Sequence, residues 1–312
     1  NLMGKSYQKF GWNAIFVDSE NPEAFRQAVT KKTRAIFIES LANPGGVVMD
    51  IESIAKVANE AGVPLVVDNT MATPFLCQPM EWGADLVVHS TTKFLSGQGN
   101  AVGGVVIDSG KFTWLENSKF PSLSTPSPEY NGLTFAETFG DLAFTMYSHA
   151  ISLRDLGCSQ SPMNAWITLN GIETLPLRVE RHCSNGLTVA KYLEKHPSVE
   201  WVSHAGLESS PYYKLGKKYM PDGTGSVFTF GVKGGYESGL KMLESVELFS
   251  HVANIGDTRS LILHPASTTH RQLTEEQRIA AGSGPEVIRL SIGIECAEDI
   301  IADLDQALRS LG

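Results

Sequence analysis

The chain has 312 residues, 42% of them apolar and 19% charged, with a formal net charge of −9 and a pI near 5.4. That acidic balance argues against a nucleic-acid-binding surface or a polybasic membrane face, and no apolar run reaches the length of a membrane span. The cysteines Cys77, Cys158, Cys183 and Cys296 lie far apart, without CxxC or disulfide-framework spacing, and read as reduced thiols of a cytoplasmic protein.

Residue 1 is asparagine, and NLMGKSYQKFGW leads almost at once into an apolar segment, so the chain reads as beginning inside a fold. Short runs rich in Ile, Val, Leu and Phe follow at 13–18 (NAIFVD), 34–40 (RAIFIES), 64–68 (PLVVD), 85–90 (DLVVHS) and 101–108 (AVGGVVID). Such near-continuous runs predict strands covered on both faces. Helices with readable ends lie between them. One starts at Asn21-Pro22, a capping residue followed by proline; another is capped by Asp50 and ended by Gly62. The alternation predicts a doubly wound α/β sheet, in which ligands sit beyond the carboxyl ends of the strands. Asp68 and Ser90 fall at those ends.

From about 109 to 160 the pattern loosens, and PSLSTPSPEYNG (121–132) reads as a surface loop. Helical periodicity returns at 162–175 and 176–196. A second α/β region follows, with strands predicted near 199–204, 225–234, 260–265 and 287–295. It closes with a helix that places Ile300, Ile301, Leu304, Leu308 and Leu311 on one face. The predicted division is a large domain over 1–175 and a smaller C-terminal α/β domain over 176–312.

Lys93 follows the strand DLVVHS directly. Most lysines at such junctions only hold their heads in water. Its neighbours argue for more. Ser90 and Thr92 share a side if the segment is extended, where paired hydroxyls and the next N–H groups suit a phosphate. Gly97, Gly99, Gly103 and Gly104 leave the following loop open to close backbone approach. Asp68, at the end of PLVVD, fits either a helix cap or a partner for a protonated pyridine nitrogen. His89, His264 and His270 lack metal-ligand spacing and read as packing or loop-organising residues, and Trp114, Tyr130 and Trp201 as ordinary aromatics; no metal site is expected.

The stretch VVDNTMATPFLCQPMEWGADLVVHSTTKFLSGQG resembles the lysine region of the Cys/Met-metabolism family of pyridoxal-phosphate enzymes. The likeness continues through ESLANPGG, SPMNAWITLNGIETLPLRVERH, HPASTTHRQL and IRLSIGIE. It implies the aspartate-aminotransferase-like fold (fold type I), with a mostly parallel sheet in the large domain, and pyridoxal 5′-phosphate as cofactor. Carried over by residue, it implies that Lys93 binds the cofactor aldehyde, Asp68 the ring nitrogen, and Ser90 and Thr92 the phosphate, with Thr70 beside the ring. Asn43 is placed near the cofactor's phenolic oxygen and the substrate carboxylate, and Arg289 on that carboxylate. Asn254, in Asn254-Ile255-Gly256, occupies a substrate-side position where sulfhydrylases of the family show NIG or NVG.

The implied activity is γ-replacement on O-acetyl-L-homoserine by sulfide or a thiol, in a homotetramer with small-molecule partners only. Cystathionine γ-synthesis and methionine γ-elimination are the alternatives on the same scaffold. The family pattern also implies an upstream segment with a phosphate-binding loop, a stacking tyrosine and a Tyr/Arg pair lent to a neighbouring subunit. The alternative of another class is a non-catalytic fragment that lacks this half of the site.

Overall fold

A computed structural model describes residues 2–272 and 274–312. Strands β1 (Ile36–Glu39), β2 (Leu65–Asp68), β3 (Leu86–Ser90) and β4 (Gly104–Asp108) form one sheet in that order. The first three are parallel and β4 is antiparallel to β3. Strands β5 (Val199–Ser203), β6 (Val227–Val232), β7 (Leu261–Leu263) and β8 (Val287–Ser291) form the second, wholly antiparallel sheet, ordered β5-β6-β8-β7.

The helix ends obey local chemistry. Helix α1 (Pro22–Ala28) begins with the Asn21 side chain accepting the Glu23 N–H, and α2 (Ile51–Glu60) with Asp50 accepting from Ser53. Beyond α2, Gly62 takes a φ of +61°, as a helix-terminating glycine does. Ile51, Ile54, Val57 and Ala58 then lie on the buried face of α2, against Val63, Leu65 and Val67.

Three expectations are corrected. NAIFVD (13–18) is irregular, not a strand, and Ile15 and Phe16 are exposed; an apolar run becomes a strand only where a neighbour supplies hydrogen bonds. The first sheet is not doubly wound among the described strands, because its order never reverses, and β4 is exposed along Gly104–Ile107. The 121–132 stretch holds two short helical turns, and its Leu123 is buried in a cluster with Trp114 and Phe135. There the Trp114 and Phe144 rings stack with centroids 5.5 Å apart.

Helix α3 (Pro162–Glu173) leads into α4 (Leu175–Leu193). The early part of α4 sends Val179 and Cys183 into the core around the first sheet. Its later part sends Val189, Ala190 and Leu193 into the core around the second. The closing helix, α5 (Ala297–Arg309), buries Ile300, Leu304 and Leu308 there, each contributing about 2 kcal/mol by leaving water. Trp201 on β5 lies over Gly231 of β6, where any Cβ would meet its indole Nε1 at 2.4 Å.

Two buried histidines make the fold acid-sensitive. His182 on α4 bonds the Ile292 carbonyl through Nδ1 at 2.6 Å, and His204 accepts the Gly206 N–H at 3.0 Å. Burial, above all, pushes both pKa values down to about 4 from 6.5. Above pH 6.5 both are neutral in folded and unfolded chains, and their contribution is intact. As pH falls from 6.5 to 4 the unfolded chain takes up protons that the folded one refuses, and stability drops by about 3 kcal/mol per histidine. The urea midpoint is expected to fall steeply over that window, and less so in His182→Gln. Equal slopes for the two proteins would count against this reading.

Candidate functional site

The carboxyl ends of β1, β2 and β3 carry Glu39, Asp68 and Ser90. Glu39 is register-paired with Asp68, so both side chains project from one face of the sheet. Asp68 Oδ1 accepts the Thr70 N–H at 2.9 Å, and Thr70 Oγ1 accepts the Ser90 N–H at 2.8 Å. Thr70 thereby joins the ends of β2 and β3 and fixes the Asp68 carboxylate. Among the described residues, Asp68 Oδ2 and Ser90 Oγ have no hydrogen-bond partner.

After Ser90 the chain enters a single helical turn, Thr91–Leu95, interrupted at Lys93 (φ −91°, ψ −128°). This corrects the argument that placed Thr92 beside Ser90: the extended segment ends at Ser90, so two-residue spacing no longer aligns the hydroxyls. Thr92 Oγ1 instead accepts the Gly103 N–H at 3.1 Å and donates to the Gly103 carbonyl at 3.4 Å. A Cβ on Gly103 would lie 2.7 Å from Thr91 Oγ1 and from the Gln160 amide carbon, so a side chain here would force those groups to move.

Lys93 Nζ donates to Asn254 Oδ1 at 2.5 Å. Arg289, on β8, donates to the Asn254 carbonyl at 3.1 Å and to Asn43 Oδ1 at 3.4 Å. The Asn43 N–H in turn donates to Glu39 at 3.0 Å. A continuous chain of contacts therefore runs from Lys93 through Asn254, Arg289 and Asn43 to Glu39, joining both sheets. Desolvation, then the nearby Arg289 charge, lowers the pKa of Lys93. Desolvation also lowers that of Arg289 and raises that of Glu39, the latter assisted by the Asp68 charge. No carboxylate pairs with Lys93 or Arg289 among the described residues.

These groups fit pyridoxal phosphate. Its aldehyde needs an amine, its ring nitrogen a carboxylate, and its phosphate hydroxyls and N–H groups. Lys93, the uncommitted oxygen of Asp68 and the uncommitted hydroxyl of Ser90 supply one of each kind. No group of three or more potential metal ligands occurs among the described residues. His264 bonds Ser267 and the Pro285 carbonyl, as a loop-organising residue would. His89 is buried with Nδ1 unpartnered. All four cysteines are free.

Glu39 escaped the sequence reading, although the strand-end rule that selected Asp68 applies equally to it. Arg178 escaped as well, and nothing local marks it: its partners include main-chain carbonyls at Phe94 and Leu95.

The model of the family "Cys/Met metabolism PLP-dependent enzyme" matches residues 1–309. An O-acetyl-L-homoserine sulfhydrylase from Leptospira meyeri is 48% identical, over 100% of this chain and 72% of that protein. A homocysteine synthase from Schizosaccharomyces pombe is 46% identical, over 99% of this chain and 72% of its own length. A crystal structure from Campylobacter jejuni, with N′-pyridoxyl-lysine-5′-monophosphate in its chain, superposes with a TM-score of 0.95 at 39% identity. That match covers 99% of this chain and 73% of the other. With a family match along nearly its whole length and relatives this similar, the chain belongs to the Cys/Met-metabolism family of pyridoxal-phosphate-dependent enzymes.

Proposed function

We propose that the protein is an O-acetylhomoserine sulfhydrylase, which replaces the acetoxy group of O-acetyl-L-homoserine with sulfide or a thiol. A γ-carbon–oxygen bond breaks and a carbon–sulfur bond forms, and with sulfide the products are L-homocysteine and acetate. The observation that carries this reading is the chain of contacts from Lys93 through Asn254 to Arg289, on a scaffold whose relatives bear sulfhydrylase and homocysteine synthase names.

Bound pyridoxal phosphate supplies the electron sink at the substrate's α-carbon. Lys93, with its lowered pKa, holds the cofactor aldehyde and takes the α-proton once freed. Asn254 orients that amine with a neutral oxygen, which does not stabilise the ammonium as a carboxylate would. Arg289 binds the substrate carboxylate through its planar fork, steadied by Asn43. Asp68 would serve the ring nitrogen, Thr70 would pack beside the ring, and Ser90 would hold the phosphate, joined by Thr92 only if that hydroxyl gives up its bonds to Gly103.

We place the domain division at 175/176 and read the protein as a cytoplasmic homotetramer. Exposed apolar side chains such as Met163, Trp166, Leu169 and Leu177 suit a surface covered by other subunits. No described helix is long and apolar enough to cross a membrane.

The test is turnover by the purified chain with added pyridoxal phosphate. O-acetylhomoserine with sulfide is expected to outpace both O-succinylhomoserine with cysteine and methionine alone. Preference for the succinyl ester would point to cystathionine synthesis, and preference for methionine to a lyase. Absence of any visible cofactor band would favour the non-catalytic reading.

A further inference from the structure

Arg178 lies in the first turn of α4, and its guanidinium is surrounded by neutral oxygens. Nη1 donates to the Phe94 carbonyl at 2.8 Å, and Nη2 to the Gly171 carbonyl at 2.7 Å and the Leu95 carbonyl at 3.5 Å. Nε donates to Thr174 Oγ1 at 3.2 Å. No carboxylate pairs with it among the described residues, and desolvation lowers its pKa. A planar cation with several fixed donors suits the binding of converging carbonyls, which an ammonium cannot match.

Two of those carbonyls belong to the residues immediately after Lys93. The same turn is held from the other side, where the Thr258 N–H donates to the Gly97 carbonyl at 2.9 Å. Phe94 also meets the His182 ring edge-on at 5.3 Å, one turn further along α4. The approach leaves no room for side chains. A Cβ on Gly97 would lie 2.6 Å from Arg178 Nη1, and one on Gly171 only 2.2 Å from the Leu95 carbonyl.

We propose that Arg178 is a positioning residue for Lys93, locking the lysine-bearing turn to the start of α4 so that the amine reaches its working place. The inference rests on the reading of Lys93 as the cofactor-binding amine, not on the identity of the substrate. A guanidinium that merely stabilised the fold would change the unfolding midpoint and leave the reactivity of Lys93 in the folded protein untouched.

The test compares wild type, Arg178→Ala and Arg178→Lys, each incubated with pyridoxal phosphate and reduced with borohydride. Mass spectrometry then reads the fraction of Lys93 trapped, and kcat and KM are measured alongside. Both variants are expected to trap less Lys93, and kcat of Arg178→Ala to fall by about a hundredfold, the cost of a displacement near 1 Å. KM for the amino-acid substrate is expected to change little. Added guanidinium ion is expected to restore part of the trapping in Arg178→Ala.

Wild-type trapping and kcat in a folded Arg178→Ala protein would overturn the proposal. If that variant does not fold, wild-type trapping and kcat in Arg178→Lys would do so. A wild-type chain that traps no cofactor would remove the reading of Lys93 and this inference with it. If none of the assayed substrates turns over while trapping still falls in the variants, the sulfhydrylase reading fails and the role of Arg178 stands.

Discussion

Replacing Lys93 with alanine is expected to abolish the visible band of lysine-bound pyridoxal phosphate and to lower turnover by about a thousandfold or more, within the range for a positioned proton-transfer group. Two losses combine. In the proposed role of Lys93, the cofactor loses its covalent anchor and the α-proton loses its acceptor. The fold should persist, because the removed amine is desolvated and close to the Arg289 charge, two effects that oppose its ionised form. Asn254 Oδ1 then loses its donor and turns to water or to added amine. Partial recovery of turnover with a small primary amine would support the assignment of proton transfer to Lys93. Wild-type turnover in the variant would dismiss it.

The change Asp68→Asn isolates charge from shape. Asparagine retains an oxygen to accept the Thr70 N–H, so the link between β2 and β3 survives. What disappears is the negative charge that, in the proposed role of Asp68, keeps the ring nitrogen protonated. Loss of one fixed electrostatic partner in a site of this kind costs about 10²–10³ in kcat. The lysine-bound band should remain, since Lys93 is untouched, and stability should hold, because the like charge facing Glu39 is gone. A variant with unchanged kcat would show that Asp68 acts only as a structural cap.

The parts of the fold written into local sequence were legible. Asn21 and Asp50 cap their helices as read, because a cap depends on residues a few positions apart. The pairing of Asp68 with the lysine turn was legible for a related reason: both sit at strand ends, and strand ends in a parallel sheet collect on one side. Hydrophobic pattern records which segments need cover, not which neighbour provides it. NAIFVD therefore read as a strand, although it pairs with no other segment among the described residues. The direction of β4 depends on the path of the loop before it, which the composition of β4 does not encode. Thr92 was mis-set because the strand ended two residues earlier than the spacing argument required. Glu39 closes its strand as Asp68 does and was open to the same reading, whereas Arg178 depends on carbonyls more than 80 residues upstream and does not advertise itself locally.

Helix α4 gives the proposed boundary at residue 175 a meaning different from that of a hinge. A chain divided there would leave the first sheet without Val179 and Cys183, and would also strip the lysine turn of Arg178. The second sheet would keep a helix whose early apolar positions face nothing. Neither half would be a self-sufficient unit for expression, swapping or recombination with a relative. The proposed seam is thus not a seam in the energetics, because Arg178 on one side of it bonds the turn that carries Lys93 on the other.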